Sequence, residues 1–187
     1  ISAPKADFTD GRETRDKISQ GAHDLDAVIL AAAGLDRIGL GAYASERFDP
    51  EQVLPAPAQG ALALEASEAA LDAHPDLAAA LEELNDLATA LTSTSERAVL
   101  AELNAGCAAP VGAFAQMEQG ILTLTAAIIS LDGSREVRIS DSLQADPEKT
   151  SAEMLEQARE LGESVARALL EAGGGELADL GASKARG

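Results

Sequence analysis

Apolar and polar positions along this chain follow two periodicities. Between Val111 and Leu143 the period is two, and Val111–Glu118, Ile121–Leu131 and Glu136–Leu143 each read as a strand. Glu118-Gln119-Gly120 and Asp132-Gly133-Ser134 supply the turns between them. On either side the pattern is helical. Ala- and Glu-rich helices are predicted across about 67–88 and 92–104. Thr92, Ser93, Thr94 and Ser95 are the candidate caps of the second, and Ser93 followed by Glu96 has capping-box spacing. Asp146-Pro147-Glu148 opens a last long helix that runs to about Ala172, where Gly173-Gly174-Gly175 stops it. The stretch from about 90 to 187 is therefore a small α+β unit.

The first part of the chain has a different grammar. Residues 1–24 are polar and irregular, with a short helix around Thr14–Gln20. Leu25–Ala33 is a short apolar run with β-branched residues and predicts a buried strand, ended by Gly34. Leu35–Leu40 then predicts a helical turn, which makes the βα step of an α/β domain. Residues 45–60 carry Pro50, Pro55 and Pro57, and the run Val53–Gly60 is excluded as a central helix. Val53–Gly60 instead forms a connector into a second buried strand, Ala61–Glu65. The tail Gly181–Gly187 reads as disordered.

Composition narrows the function classes. The chain has 187 residues, 46% of them hydrophobic but only 2% aromatic, so its core is aliphatic. Against 32 Asp and Glu stand 14 Lys and Arg, a net charge of −18. That balance excludes nucleic acid as a partner, because phosphate contacts need clustered Lys and Arg, and it disfavours anionic membrane surfaces. The acid is spread over exposed helical stretches such as Glu65–Asp86 and Glu153–Glu163, as on a solvated surface. No stretch reaches the roughly twenty apolar residues of a membrane span. The opening residues Ile1–Lys5 lack a signal-peptide core, so a soluble, cytoplasmic protein is expected. A first residue other than Met predicts a fragment or a processed product.

Most chemical motifs are absent. There is no phosphate loop, no dinucleotide-binding glycine run and no nucleophile elbow. His23 and His74 stand apart without nearby Cys, so no metal site is expected. Cys107 is the chain's one cysteine, in Asn104-Ala105-Gly106-Cys107-Ala108-Ala109-Pro110. A lone cysteine is most often a small buried hydrophobe. Its place on a loop between small residues also leaves room for something bulky at the sulfur. The preceding helix C-terminus raises a thiol pKa, so activation would have to come from cations elsewhere in the fold. Packing and covalent chemistry both remain open on these residues.

Three segments, in order, resemble the porphobilinogen deaminase (hydroxymethylbilane synthase) family: Asp26–Gly39 with Ala33-Gly34-Leu35-Asp36-Arg37, Leu54–Glu65 with Pro57-Ala58-Gln59-Gly60, and Ser95-Glu96-Arg97-Ala98 through Gly106-Cys107 to Gly112. The resemblance covers roughly residues 10–175. It implies a transferase that condenses four porphobilinogen molecules into the linear tetrapyrrole hydroxymethylbilane, losing ammonia each time. The family's dipyrromethane cofactor would be held as a thioether by Cys107, with Gly106 beside it. Arg15, Arg37, Gln59 and Gly60 would bind the carboxylates of substrate and cofactor, since arginine forks suit carboxylates.

The resemblance also implies a fold. It is an α/β remnant resembling periplasmic-binding-protein-like domains, then an α+β domain with a three-stranded antiparallel sheet and helices on one face. Residues 1–54 would end the second family domain, 55–88 would return to the first, and 89–187 would form the cysteine-bearing third. Thr9, Asp10 and Gly11 stand where the family's Arg-Gly-Asn begins, which departs from its pattern. The family's acid-base aspartate, in a Lys-Asp pair, and its Arg-Arg pair would lie upstream of Ile1. The expected partners are therefore porphobilinogen, the growing polypyrrole and an N-terminal domain. The complete protein would be a monomer, and this piece alone is expected to be inactive. The competing expectation is a non-catalytic acidic interaction module derived from that family, with Cys107 as ordinary packing.

Overall fold

The computed structural model describes residues 27–106, 108–178 and 180. The chain divides into two compact units, Ile1–Arg47 and Phe48–Gly187.

In the first unit, helix α1 spans Ala32–Arg37 and is followed by a 3-10 turn at Gly41–Tyr43. Asp36 on α1 accepts two hydrogen bonds from the Arg47 guanidinium, at 2.5 and 2.9 Å. Gly41 makes that fork possible, because a Cβ there would stand 2.0 Å from Asp36 Oδ1. The helical turn expected at Leu35–Leu40 is present but begins earlier, at Ala32. The buried strand expected over Leu25–Ala33 is not formed in its described part. Ala27–Ala31 takes no regular structure, and Ile29 is 75% exposed. A strand needs a hydrogen-bonded neighbour, and no described residue pairs with this run. The short helix expected at Thr14–Gln20 lies outside the described residues.

The second unit starts with Phe48–Ser67, which contains no regular element. The strand expected at Ala61–Glu65 is likewise absent: Leu62 is 84% and Leu64 65% exposed, with no pairing partner. The single helix expected over 67–88 is two, α2 (Glu68–Ala73) and α3 (Pro75–Leu84). Pro75 separates them: it starts α3 at its first position and keeps His74 out of the helical region (φ −133°, ψ 78°). Helix α4 (Leu87–Glu102) begins about two turns before the start that a Ser93 cap would give. Asp86 is the true N-cap, accepting from the Thr89 amide at 2.7 Å. Ser93 lies inside the helix and donates to the Thr89 carbonyl at 2.7 Å.

The three strands stand where alternation placed them: β1 (Val111–Glu118), β2 (Ile121–Ile129) and β3 (Glu136–Gln144), in antiparallel order β1-β2-β3. Strand β2 stops two residues short of Leu131 because Ser130 turns away, donating to Asp132 Oδ1 at 2.6 Å and accepting from the Arg135 amide at 2.9 Å. The β1–β2 connection is a two-residue turn with both φ values positive, Gln119 at 50° and Gly120 at 79°. That hand matches the twist of the strands. The last helix, α5, spans Ser151–Glu171 rather than opening at Asp146. Asp146 folds back on the Glu148 and Lys149 amides, and Thr150 with Glu153 forms a reciprocal capping box. Gly173, at φ 90°, ends the helix region as expected.

Register explains the core. Val111, Ala113 and Ala115 on β1, and Leu122, Leu124, Ala126 and Ile128 on β2, share one sheet face with Val137, Ile139 and Leu143. Helices α4 and α5 cover that face with Leu91, Val99 and Leu103 and with Leu161, Val165 and Leu169. Each buried aliphatic side chain of this kind contributes about 1.5–3 kcal/mol. The sheet with helices on one face is therefore as expected. On the opposite face, Leu54 lies against Gly112, where a Cβ would approach Leu54 Cβ to 2.7 Å. Arg138 Nη1 donates to the Glu51 carbonyl at 2.6 Å there. Among the described residues, no helix is long and apolar enough to cross a membrane.

Candidate functional site

The loop from α4 to β1 is built to present a short turn. Asn104, at φ 51°, takes the left-handed position that ends α4. The Asn104 amide donates to the Ala101 carbonyl at 3.1 Å and the Ala105 amide to the Leu100 carbonyl at 3.0 Å, which is a Schellman closure. The helix stop is thus Asn104, ahead of the expected Gly-Cys turn. Cys107 itself lies outside the described residues. Its neighbours define the frame: the Ala109 amide donates to the Gly106 carbonyl at 2.9 Å, and the Ile129 amide to the Pro110 carbonyl at 3.0 Å. The Gly106 amide points back to the Leu180 carbonyl at 3.4 Å. Both roots of the turn are therefore tied to the sheet unit. Ala108 is exposed, and the flanking side chains are no larger than methyl.

Of the other expected site residues, Arg15 lies outside the described residues. Arg37 is exposed in the last turn of α1 and, among the described residues, forms no ion pair; its neighbour Asp36 is taken by Arg47. Gln59 and Gly60 are exposed on a tight turn of the connector. The Gln59 amide donates to the Ala56 carbonyl at 3.1 Å, and Gly60 has φ 95° with open space where a Cβ would be. Gly60 also borders a wide groove of about 950 Å³, whose other walls include Leu62, Leu64, Leu84 and Arg97.

Two features were missed by sequence reasoning. Glu96, assigned only a capping role, is 7% exposed and bonds two distant amides. Oε2 accepts from the Ala58 amide at 2.5 Å and Oε1 from the Ala115 amide at 2.7 Å. Burial pushes its carboxyl above the ordinary value, with the two amides pulling the other way. The available signal was a charged residue three positions before Val99 on a helix whose buried face includes Leu91, Ala98 and Val99. The second is a recess of about 410 Å³ on the far sheet face, between Leu54, Phe114, Thr125 and Arg138. Arg138 is a strut there, with Nε on Glu136 at 2.5 Å and Nη1 on the Glu51 carbonyl.

Comparison with known proteins gives a consistent picture. The family model described as porphobilinogen deaminase, C-terminal domain, matches residues 90–171. The one described as porphobilinogen deaminase, dipyrromethane cofactor binding domain, matches residues 11–74. Porphobilinogen deaminase of Cutibacterium acnes is 47% identical over 169 residues, covering 87% of this chain and 50% of that protein. The Leifsonia xyli enzyme of that name is 43% identical over 180 residues, covering 95% of this chain and 54% of its own. The chain spans about half the length of the curated relatives it matches.

Proposed function

Because this chain belongs to the porphobilinogen deaminase family, a family of transferases, we propose that it carries the covalent anchor of a hydroxymethylbilane synthase. In this reading the complete protein condenses four porphobilinogen molecules into hydroxymethylbilane with release of ammonia. Cys107 holds the dipyrromethane cofactor as a thioether. That group supplies the pyrrole terminus from which the chain grows.

The observation that carries the proposal is the Gly106–Ala109 turn, rooted at both ends and lined by small side chains, in a chain matched on both sides of its connector by one family. This chain's own residues bind and orient. Arg15, Arg37, Gln59 and Gly60 take the acetate and propionate carboxylates of the pyrroles, and Gly106 leaves space beside the thioether. Exposure of Arg37, Gln59 and Gly60 supports that role. The reading places residues 1–54 at the end of a periplasmic-binding-protein-like α/β domain, 55–88 as the return toward an N-terminal domain, and 89–187 as the anchoring domain. Its partners are porphobilinogen, the growing polypyrrole and that N-terminal domain, and the complete protein works as a cytoplasmic monomer. The exposed apolar runs at Val28–Leu30 and Leu62–Leu64 support a missing neighbour, since each has the composition of a strand without a partner.

The test is Cys107→Ser in a protein of the relatives' full length. Intact mass should lose an adduct of two pyrrole units, and tetrapyrrole synthesis should stop. Wild-type turnover in that variant would remove the anchor role. The two family matches favour this reading over the acidic interaction module.

A further inference from the structure

We propose that Glu96 is a positioning residue whose carboxylate clamps the Ala58–Gly60 turn of the connector to the free edge of the sheet, and thereby sets where Gln59 and Gly60 stand. Among the described residues, strand β1 pairs only with β2, so alternate amides along its outer edge have no ladder partner there. Two of these are satisfied by other means: Ala113 donates to the Pro55 carbonyl at 3.0 Å, and Ala115 donates to Glu96 Oε1 at 2.7 Å. The second oxygen of the same carboxylate takes the Ala58 amide at 2.5 Å. One side chain on α4 therefore joins segments 38 residues before it and 19 residues after it.

The turn it holds is strained. Ala58 has φ 59°, the left-handed region that an L-residue with a Cβ avoids. That conformation carries a bias of roughly 5–30-fold against the turn. Gly60, at φ 95°, continues the same unusual path without a Cβ. Strain of this kind persists where surrounding contacts over-determine the backbone. The carboxylate itself is an unusual choice, since Glu96 is buried and, among the described residues, has no cation in salt-bridge range. A buried charge needs full hydrogen bonding to be tolerated, and the two amides are what it has. The clamp and the strained turn thus require each other. The functional meaning rests on the reading of Gln59 and Gly60 as carboxylate-binding residues; the clamp itself does not.

Three measurements test it. In the unsubstituted chain, through-hydrogen-bond couplings should connect the amide nitrogens of both Ala58 and Ala115 to one carbon, Glu96 Cδ. Absence of the Ala58 coupling would overturn the clamp without any variant having to fold. In Glu96→Gln, a carboxamide has one accepting oxygen, so one of the two amides should lose its downfield shift and roughly 10-fold or more of its exchange protection. The interior amides of β2 should stay protected. Adding Ala58→Gly to that variant should restore a single turn conformation, because glycine has no Cβ to strain. Unchanged Ala58 and Ala115 amides in a folded Glu96→Gln chain would sink the proposal. In the full-length enzyme, Glu96→Gln should raise KM for porphobilinogen while the mass of the anchored cofactor is unchanged. A clamp seen by couplings with KM unmoved would overturn its role in positioning the substrate-side turn. A wild-type enzyme without turnover would instead refute the proposed function and leave the couplings to decide the clamp.

Discussion

Gly162 sits in the middle of α5, where helix propensity and packing make opposite predictions. Alanine in a helix interior is favoured over glycine by about 1 kcal/mol, so propensity alone says that Gly162→Ala stabilises the chain. The structure says the reverse. A Cβ at Gly162 would stand 2.2 Å from the Ser95 carbonyl oxygen and 2.6 Å from Ala98 Cβ. Non-bonded carbon contacts are comfortable at about 3.5–4.0 Å, so α4 and α5 would have to part by about 1 Å. A gap of that size forfeits roughly a quarter to a half of each affected contact. The atom struck first is helix backbone, which cannot rotate away as a side chain can. Overpacking costs about 1–3 kcal/mol, and a clash with backbone falls at the upper end, about 2–3 kcal/mol, so after the propensity gain the net loss should be about 1–2 kcal/mol. For a unit of this size that is a fall in Tm of roughly 2–8 °C. The chain has no Trp, so urea unfolding followed by far-ultraviolet circular dichroism is the suitable assay. The midpoint should fall with the slope unchanged. Ala98→Gly in the same chain should rescue little, since it leaves the Ser95 carbonyl in place. A Gly162→Ala chain as stable as the parent, or more stable, would refute the close approach of the two helices.

Two further expectations concern polar ends of elements. Thr150→Ala removes one half of the capping box and should cost about 0.5–2 kcal/mol by the same urea assay. It should also return the Glu153 carboxyl, held low by the Thr150 amide and hydroxyl, toward its ordinary value. Asp132 is held down from 3.8 to about 2 by the hydroxyls of Ser130 and Ser134 and by the Ser134 amide. Its folded value lies below its unfolded one, so its contribution to stability is present above 3.8 and fades as pH falls toward about 2. A carbon-detected titration of Asp132 Cγ should give a midpoint near the lower value; one near 3.8 would contradict the loop geometry.

Much of the sheet unit was readable along the chain because its information is local. Alternation over Val111–Glu118 and Glu136–Leu143 puts one set of side chains on one face, and any partner strand must respect that. Gln119-Gly120 accepts the positive φ that the turn demands. The failures share a physical cause: they depend on a partner outside the window read. Leu25–Ala33 and Ala61–Glu65 have strand composition, but a strand is a property of a pair, and the described residues pair with neither. Ser93-x-x-Glu96 imitates a capping box, yet Asp86 caps α4 and Glu96 reaches segments far along the chain. Of the expected site residues, Gly106, Arg37, Gln59 and Gly60 lie on turns or exposed helix ends, whereas Arg15 and Cys107 lie outside the described residues.

Helix α4 links these features mechanically. Its Ser95 carbonyl meets Gly162 of α5, its Glu96 carboxylate reaches the connector, and its C-terminal closure at Asn104 leads to Gly106. Ser95 and Glu96 are adjacent, so a shift of about 1 Å imposed on α4 from α5 would move the clamp as well as the core. Removal of the clamp, by contrast, should leave the α4–α5 contact alone, because among the described residues Glu96 bonds only the Ala58 and Ala115 amides. The two perturbations are therefore ordered: crowding at Gly162 should disturb both stability and the Ala58 amide, whereas loss of the Glu96 carboxylate should disturb the connector first. A rigid helix pinned on one side by packing and on the other by a two-point hydrogen bond is a sound support for the proposed anchor, since it holds Gly106 in fixed relation to Gln59 and Gly60.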